Sequence, residues 1–232
     1  MVKVNGVDIR KFDAKQLTVD IQPPSFEVEY EWLEGAVQET EFETDVMMGS
    51  IKISLYFKGK SRNSILRMAS EFVQHLTKSC TLELDGYKGK YKGYLMTSDY
   101  KKMRTKERHI LNLEFAGYFF DDETSVIFDG VTSGIFHTLG TRKAPCIIEV
   151  TAKSTLSNYK ISGIEDDIVI ASLAAGKTLV IDGTKHQATI DGKNAFDVVD
   201  MWKFPVLRSG EKNIAFSNNR AIVMIRYEPM WM

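Results

Sequence analysis

Strict alternation of apolar and polar residues, interrupted once, constrains this chain more than any other feature. Leu17, Val19 and Ile21 alternate with Thr18 and Asp20. Phe26, Val28 and Tyr30 alternate with Glu27, Glu29 and Glu31, and Ile51, Ile53, Leu55 and Phe57 with Lys52, Ser54, Tyr56 and Lys58. In a strand successive side chains point to opposite faces, so each run predicts a sheet with one apolar face and one polar face. The interruption lies between Ser61 and Lys78. There Ile65, Leu66, Ala69, Phe72, Val73 and Leu76 fall on one stripe of an amphipathic helix, with Ser61 as its N-cap. The chain is therefore mainly β, with one α-helix lying on a sheet.

Turn pairs punctuate the strands. Asn5-Gly6 breaks the first strand, and Asp85-Gly86 follows Cys80, Leu82 and Leu84. A long hairpin then runs out through Tyr91, Tyr94, Leu95 and Met96 to Tyr100. It turns at a basic tip, Lys101 to Lys106, and returns through Ile110, Leu111, Leu113, Phe115 and Tyr118. Between Asp121 and Pro145 the chain is rich in Gly, Ser and Thr and weakly periodic, which predicts a linker or boundary. Beyond Pro145, short strands separated by Gly163, Gly176, Asp182-Gly183 and Asp191-Gly192 predict an antiparallel β-sandwich. Two domains follow, 1–124 and 125–232, within the 232 residues.

Chemistry-bearing motifs are weak. Ala171 to Thr178 fits a permissive phosphate-loop pattern, but Leu179-Val180-Ile181-Asp182-Gly183 reads as a strand where a phosphate loop needs a helix. A hairpin turn accounts for those residues. His75, His109, His137 and His186 sit in different elements without metal-ligand spacing. Cys80 and Cys146 read as buried free thiols. No catalytic residue, cofactor or metal is expected, no apolar run approaches the ~20 residues of a membrane-spanning helix, and no secretory signal is visible.

Charge is more informative. The net charge of −1 gives no global basic field. Locally, Glu27 to Asp45 holds eight acids, Glu39, Glu41 and Glu43 among them, and no Lys or Arg. Lys88 to Arg108 holds eight bases, including Lys101, Lys102 and Arg104, against Asp99 and Glu107. Two solvated faces would contribute little. Complementary surfaces on neighbouring copies would instead set register and specificity. Nucleic-acid binding by the hairpin, with Tyr87, Tyr91, Tyr94 and Tyr100 as stacking platforms, is opposed by the acidic segment.

The most distinctive stretch lies near the C-terminus. It contains Asp191-Gly192-Lys193-Asn194-Ala195-Phe196, then Trp202-Lys203-Phe204-Pro205-Val206-Leu207-Arg208-Ser209-Gly210-Glu211-Lys212-Asn213. Phe204 and Leu207 are expected to bury beside Trp202, Pro205 to mark an edge, and Gly210 to turn the chain into the last strands. The stretch resembles the distal tail (Dit-like) protein family of long-tailed phages. In that family a glycine-asparagine turn precedes a W-x-F-P-x-L-x-x-G-x-N run; here the final asparagine comes one residue late. The resemblance implies a tail-tube-like β-barrel with a flanking helix, followed by a galectin-like β-sandwich at the periphery. It implies a homo-hexameric ring between the tail tube protein and a tail-tip or hub protein of the virion tail, assembled in the bacterial host cytoplasm. DNA would pass through the lumen without specific binding. The acidic segment would then face either that lumen or a neighbour's basic hairpin. The galectin sugar-binding pattern is absent, which weighs against the alternative of a host-surface carbohydrate-binding module.

Overall fold

The computed structural model describes residues 2–35, 37–38, 40–102 and 107–231. The chain divides into two compact units at Phe120/Asp121.

The first unit is built on an antiparallel sheet and one helix. It contains β1 (Lys3–Val4), β2 (Val7–Asp8), β3 (Ala14–Gln22), β4 (Phe26–Glu31), β5 (Thr40–Val46) and β6 (Gly49–Lys58). α1 (Arg62–Gln74), β7 (Cys80–Glu83), β8 (Lys90–Lys102) and β9 (Arg108–Phe120) complete it. The strand order is β2-β1-β7-β8-β9-β6-β3. Where the resemblance implies a barrel, this sheet is open among the described residues, because no pairing joins β2 to β3. Asn5 and Gly6 both take positive φ, 50° and 76°. This is the conformation a two-residue hairpin turn requires, and it sets the β1–β2 register.

The alternation of β6 sets the core. Ile51, Ile53, Leu55 and Phe57 are buried together with Leu111, Leu113 and Phe115 of β9, and α1 covers them with Ile65, Ala69 and Phe72. Burial of each such large side chain contributes about 1.5–3 kcal/mol. The helix starts where the sequence places it. Ser61 accepts from the backbone N–H of Ser64, and the Ser64 hydroxyl accepts from the N–H of Ser61. A Ser61→Ala chain is expected to lose about 1 kcal/mol, read as a lower urea midpoint.

The second unit is an antiparallel sandwich. Its strands are β10 (Thr124–Asp129), β11 (Ser133–Thr138), β12 (Ala144–Ala152), β13 (Leu156–Ser162), β14 (Ile168–Leu173) and β15 (Thr178–Asp182). They continue with β16 (Gln187–Ile190), β17 (Lys193–Asn194), β18 (Val199–Asp200), β19 (Val206–Leu207), β20 (Gly210–Phe216), β21 (Ala221–Tyr227) and β22 (Met230–Trp231). One sheet runs β10-β21-β12-β15-β16-β17 and the other β11-β20-β13-β14-β18. Ile148, Val150 and Ile225 from the first sheet share one core with Tyr159, Ile161 and Ile170 from the second.

Two expectations change here. The stretch between Asp121 and Pro145 is not a linker: β10 pairs with β21 and β11 with β20 along their full lengths. Its weak periodicity hid strands that tertiary pairing creates. The residues resembling a phosphate loop form a turn, as expected, but not a hairpin. β14 and β15 belong to different sheets, so the turn carries the chain across the sandwich. Gly176 takes φ +75° there, and its N–H donates to the Ala152 carbonyl at 2.8 Å.

Asp182 closes the turn after β15. It is nearly buried, and one carboxylate oxygen accepts from the backbone N–H groups of Thr184 (2.9 Å) and Lys185 (3.0 Å). Burial pushes its pKa up, but the Lys185 backbone and ammonium and the Thr184 N–H outweigh that and hold it below the ordinary value of 3.8. The carboxylate therefore stabilises the fold above the ordinary value, and that contribution is lost as pH falls through the lowered one. Asp182→Ala leaves both N–H groups without this acceptor and is expected to cost about 2–3 kcal/mol at neutral pH. In urea melts across pH, wild type and Asp182→Asn should converge as the solution is acidified below the ordinary Asp value.

Candidate functional site

The two charged segments fold into two separate elements of the first unit. Among the described residues, β4 and β5 pair only with each other, as a two-stranded ribbon outside both core clusters. Glu41 and Glu43 lie on β5, with Cα positions opposite Tyr30 and Glu29. Glu39 lies outside the described residues. The bases lie along β8 and the loop before it. Lys101 is exposed and registers with Ile110, and Lys102 registers with His109. Arg104 lies outside the described residues, as does most of the basic tip.

Alternation in β4 predicts one buried face, and the structure has none. Phe26, Val28, Tyr30, Trp32 and Leu33 are 46–60% exposed. A soluble surface tolerates single exposed apolar residues, whereas a contiguous stripe marks an interaction site. The ribbon is also electrostatically frustrated: Glu27 faces Asp45 directly across the pair, and like charges so placed destabilise it. The signal was present in the sequence. Eight acids without one base leave such a ribbon nothing of its own to pair with.

β8 carries a complementary feature. β7 pairs with it only through Tyr91, Lys92 and Gly93. Among the described residues, the outer edge of β8 from Tyr94 to Lys102 has no strand beside it. Tyr94, Met96 and Tyr100 are exposed along it. The register slips at Met96, which puts Lys92, Tyr94, Asp99 and Lys101 on the face away from α1 and Leu95 and Tyr100 on the other.

The C-terminal motif residues divide. Leu207 is fully buried and pairs with Ala144, and Pro205 is buried with its carbonyl accepting from the Cys146 N–H at 3.1 Å. Phe204 is half-buried against the rings of His186 (5.1 Å) and Phe196 (5.8 Å). Asn194 accepts from the Phe196 N–H at 3.1 Å, fixing the chain after the Asp191-Gly192 turn. Gly210 opens β20 with φ +101°, a left-handed conformation that favours glycine. Trp202 overturns its expectation. It is 87% exposed, because Met201 and Phe204 take the core-facing positions of the bend and leave Trp202 pointing outward. Arg208 pairs with Glu165, and that contact, before the milder effect of Lys143, holds the Glu165 carboxyl below its usual range.

The four histidines do not converge. His75 caps the end of α1 beside Phe12, and His137 is exposed on β11. His186 packs on Phe204. His109 is buried, with neither ring nitrogen hydrogen-bonded among the described residues. No group of three His, Cys, Asp or Glu side chains among the described residues could hold a metal ion. Cys80 and Cys146 are buried and unpaired as disulfides, and burial pushes the Cys146 thiol up to about 12. No helix among the described residues is long and apolar enough to cross a membrane.

Residues 139–231 match the sequence model of the siphovirus-type tail component, C-terminal domain. Among curated proteins, none matches by sequence. The fold is similar to a crystal structure of the SPP1 Dit protein, described as a paradigm of the hub adsorption apparatus in phages that infect Gram-positive bacteria. The TM-score is 0.77 at 9% identity, over 100% of this chain and 98% of that one. It is also similar to a chain of the phage P2 baseplate in its activated conformation with Ca, with a TM-score of 0.50 at 10% identity over 96% and 92%. The second unit thus matches the siphovirus-type tail component model over residues 139–231, and the chain as a whole has the fold of a phage distal tail (Dit) protein.

Proposed function

We propose that this chain is the structural hub of a phage-type tail, closing into a ring that joins the tail tube to the tip or baseplate. The observation that carries this reading is the likeness to the SPP1 Dit protein over the full length of both chains. The first unit, close to the 1–124 domain expected from sequence, supplies the ring. The second is the peripheral sandwich. The ring is homo-hexameric, its partners are the tail tube protein and a tail-tip protein, and DNA passes through its lumen without specific binding. It resides in the virion tail after assembly in the host cytoplasm, and it works by shape rather than by a reaction.

The first unit suits such a role. A chain with two different sticky surfaces associates head to tail, and a head-to-tail contact closes into a ring when its rotation allows. Light scattering on the purified full chain, with negative-stain images, tests the reading. The expected outcome is one assembly of about six chain masses with a central hole. A strictly monomeric protein at high concentration, without an annulus even when tube and tip partners are added, would overturn it.

A further inference from the structure

We infer that the second unit carries a binding groove for a neutral glycan, formed by the β16–β17 hairpin and the aromatic residues at its two ends. The inference goes beyond the hub reading and does not depend on ring formation.

Strand alternation and register build the groove. Along β16, Gln187 and Thr189 share one face, and β17 places Asn194 directly across from Thr189. Three polar side chains therefore lie on one face of a tight hairpin. His186 just before β16 and Phe196 just after β17 both pack on the Phe204 ring, at 5.1 and 5.8 Å, which ties the two ends of the hairpin to one aromatic. His186, Gln187, Thr189, Asn194 and Phe196 line a single groove of about 440 Å³. Sites for small organic ligands span about 300–1,000 Å³.

The groove keeps its shape without a ligand. Asp182 holds the turn before His186 through the N–H groups of Thr184 and Lys185. The Ala195 N–H donates to the Ala188 carbonyl at 2.8 Å, and Asn194 Oδ1 accepts from the Phe196 N–H. Preformed walls lower the ordering cost of binding.

Three observations select the ligand class. The first is charge: no Asp, Glu, Lys or Arg lines the groove among the described residues. A phosphate, a nucleic acid or an acidic peptide needs cations that are missing there. The second is unused hydrogen-bonding capacity. The side chains of Gln187 and Thr189 make no hydrogen bond among the described residues, and Asn194 uses only its oxygen. Amide and hydroxyl groups both donate and accept, which is what a set of neutral hydroxyls requires. The third is the Phe196 ring, 47% exposed beside these polar groups. A sugar ring presents an apolar C–H face to such an aromatic and its hydroxyl edge to the amides. A peptide strand finds little purchase, because β17 has only two residues for strand addition. The residue set differs from the galectin pattern that the sequence lacks.

The test uses the labelled full chain on an array of neutral oligosaccharides built from glucose, galactose, rhamnose and N-acetylhexosamines. Acidic oligosaccharides and neutral peptides share the array as competing classes. Wild type is expected to retain one or more neutral glycans. Gln187→Ala with Thr189→Ala, and separately Phe196→Ala, are expected to weaken the retained glycan by at least about tenfold, measured by titration calorimetry. Gln187 is exposed and Thr189 half-buried, so thermal melts and assembled mass of that two-site variant should match wild type. Ile135→Ala, exposed on the other sheet, should bind as wild type. No retained neutral glycan, preference for the acidic or peptide probes, or undiminished binding by the two-site variant would each overturn the site. None of these results alters the assembled mass, so the hub reading stands or falls separately.

Discussion

Gly163→Ala is expected to lower stability by roughly 3–5 kcal/mol, combining strain at a left-handed position with overpacking. It should register as the loss of several degrees in melting temperature and a markedly lower urea midpoint, with the urea slope little changed. Gly163 follows β13 with φ +95°, a conformation L side chains rarely adopt. A β-carbon there would stand 1.9 Å from the Asn213 carbonyl oxygen and 2.9 Å from its carbon. Both are backbone atoms of β20, which pairs with β13 through Ile161–Phe216 and Ser162–Ala215. No rotamer change can relieve a clash with paired backbone, so the sheet itself must shift. Gly176, which also has positive φ but meets nothing within 4 Å, is the control: alanine there carries only the conformational strain, about 1 kcal/mol. Equal losses at the two positions would disprove the close approach.

Phe72→Ala is expected to cost about 3–5 kcal/mol, the range for deleting a buried aromatic side chain. Phe72 is 1% exposed at the centre of the α1 contact surface. Its ring meets Phe12 edge-on at 5.5 Å and Phe57 at 5.9 Å. The substitution removes the side chain that ties helix, sheet and the short helical turn at Ile9–Phe12 together. Leu66→Ala, on the same helix but 42% exposed, should cost under 1 kcal/mol. Chemical denaturation followed by far-UV circular dichroism separates the two. A small loss for Phe72→Ala would mean that the helix is not anchored through this ring. On the ring reading, Phe72→Ala should also reduce assembly, because the sheet that carries β8 loses its backing.

Much of this fold is legible in the order of its residues. Period-two runs mark β3, β4 and β6, the single helical stripe marks α1, and Ser61 marks its start. These are local matters, fixed by which side chains recur on one face and which can cap a helix. The turn pairs Asn5-Gly6 and Asp191-Gly192 are equally local, because each needs positive φ at both residues and the sequence supplies residues that tolerate it. The C-terminal motif points to the family; in the fold Leu207 is buried, Gly210 opens β20 at positive φ, and Pro205, expected at an edge, is buried with its carbonyl accepting from the Cys146 N–H.

The rest depends on long-range pairing. Alternation in β4 is indistinguishable from that in β6, yet β6 pairs with both β3 and β9 and buries its apolar face, while among the described residues β4 has only β5 beside it. Alternation establishes that a strand has an apolar face; its distant neighbours settle what, if anything, covers it. For the same reason β10 and β11, weak in pattern, become strands through β21 and β20, and Trp202 faces outward once Phe204 and Leu207 have filled the core. Local residue order dictates the elements, the turns and the separation of charge. Which edges and faces stay open is a matter of the folded chain, because burial is a property of neighbours distant in sequence.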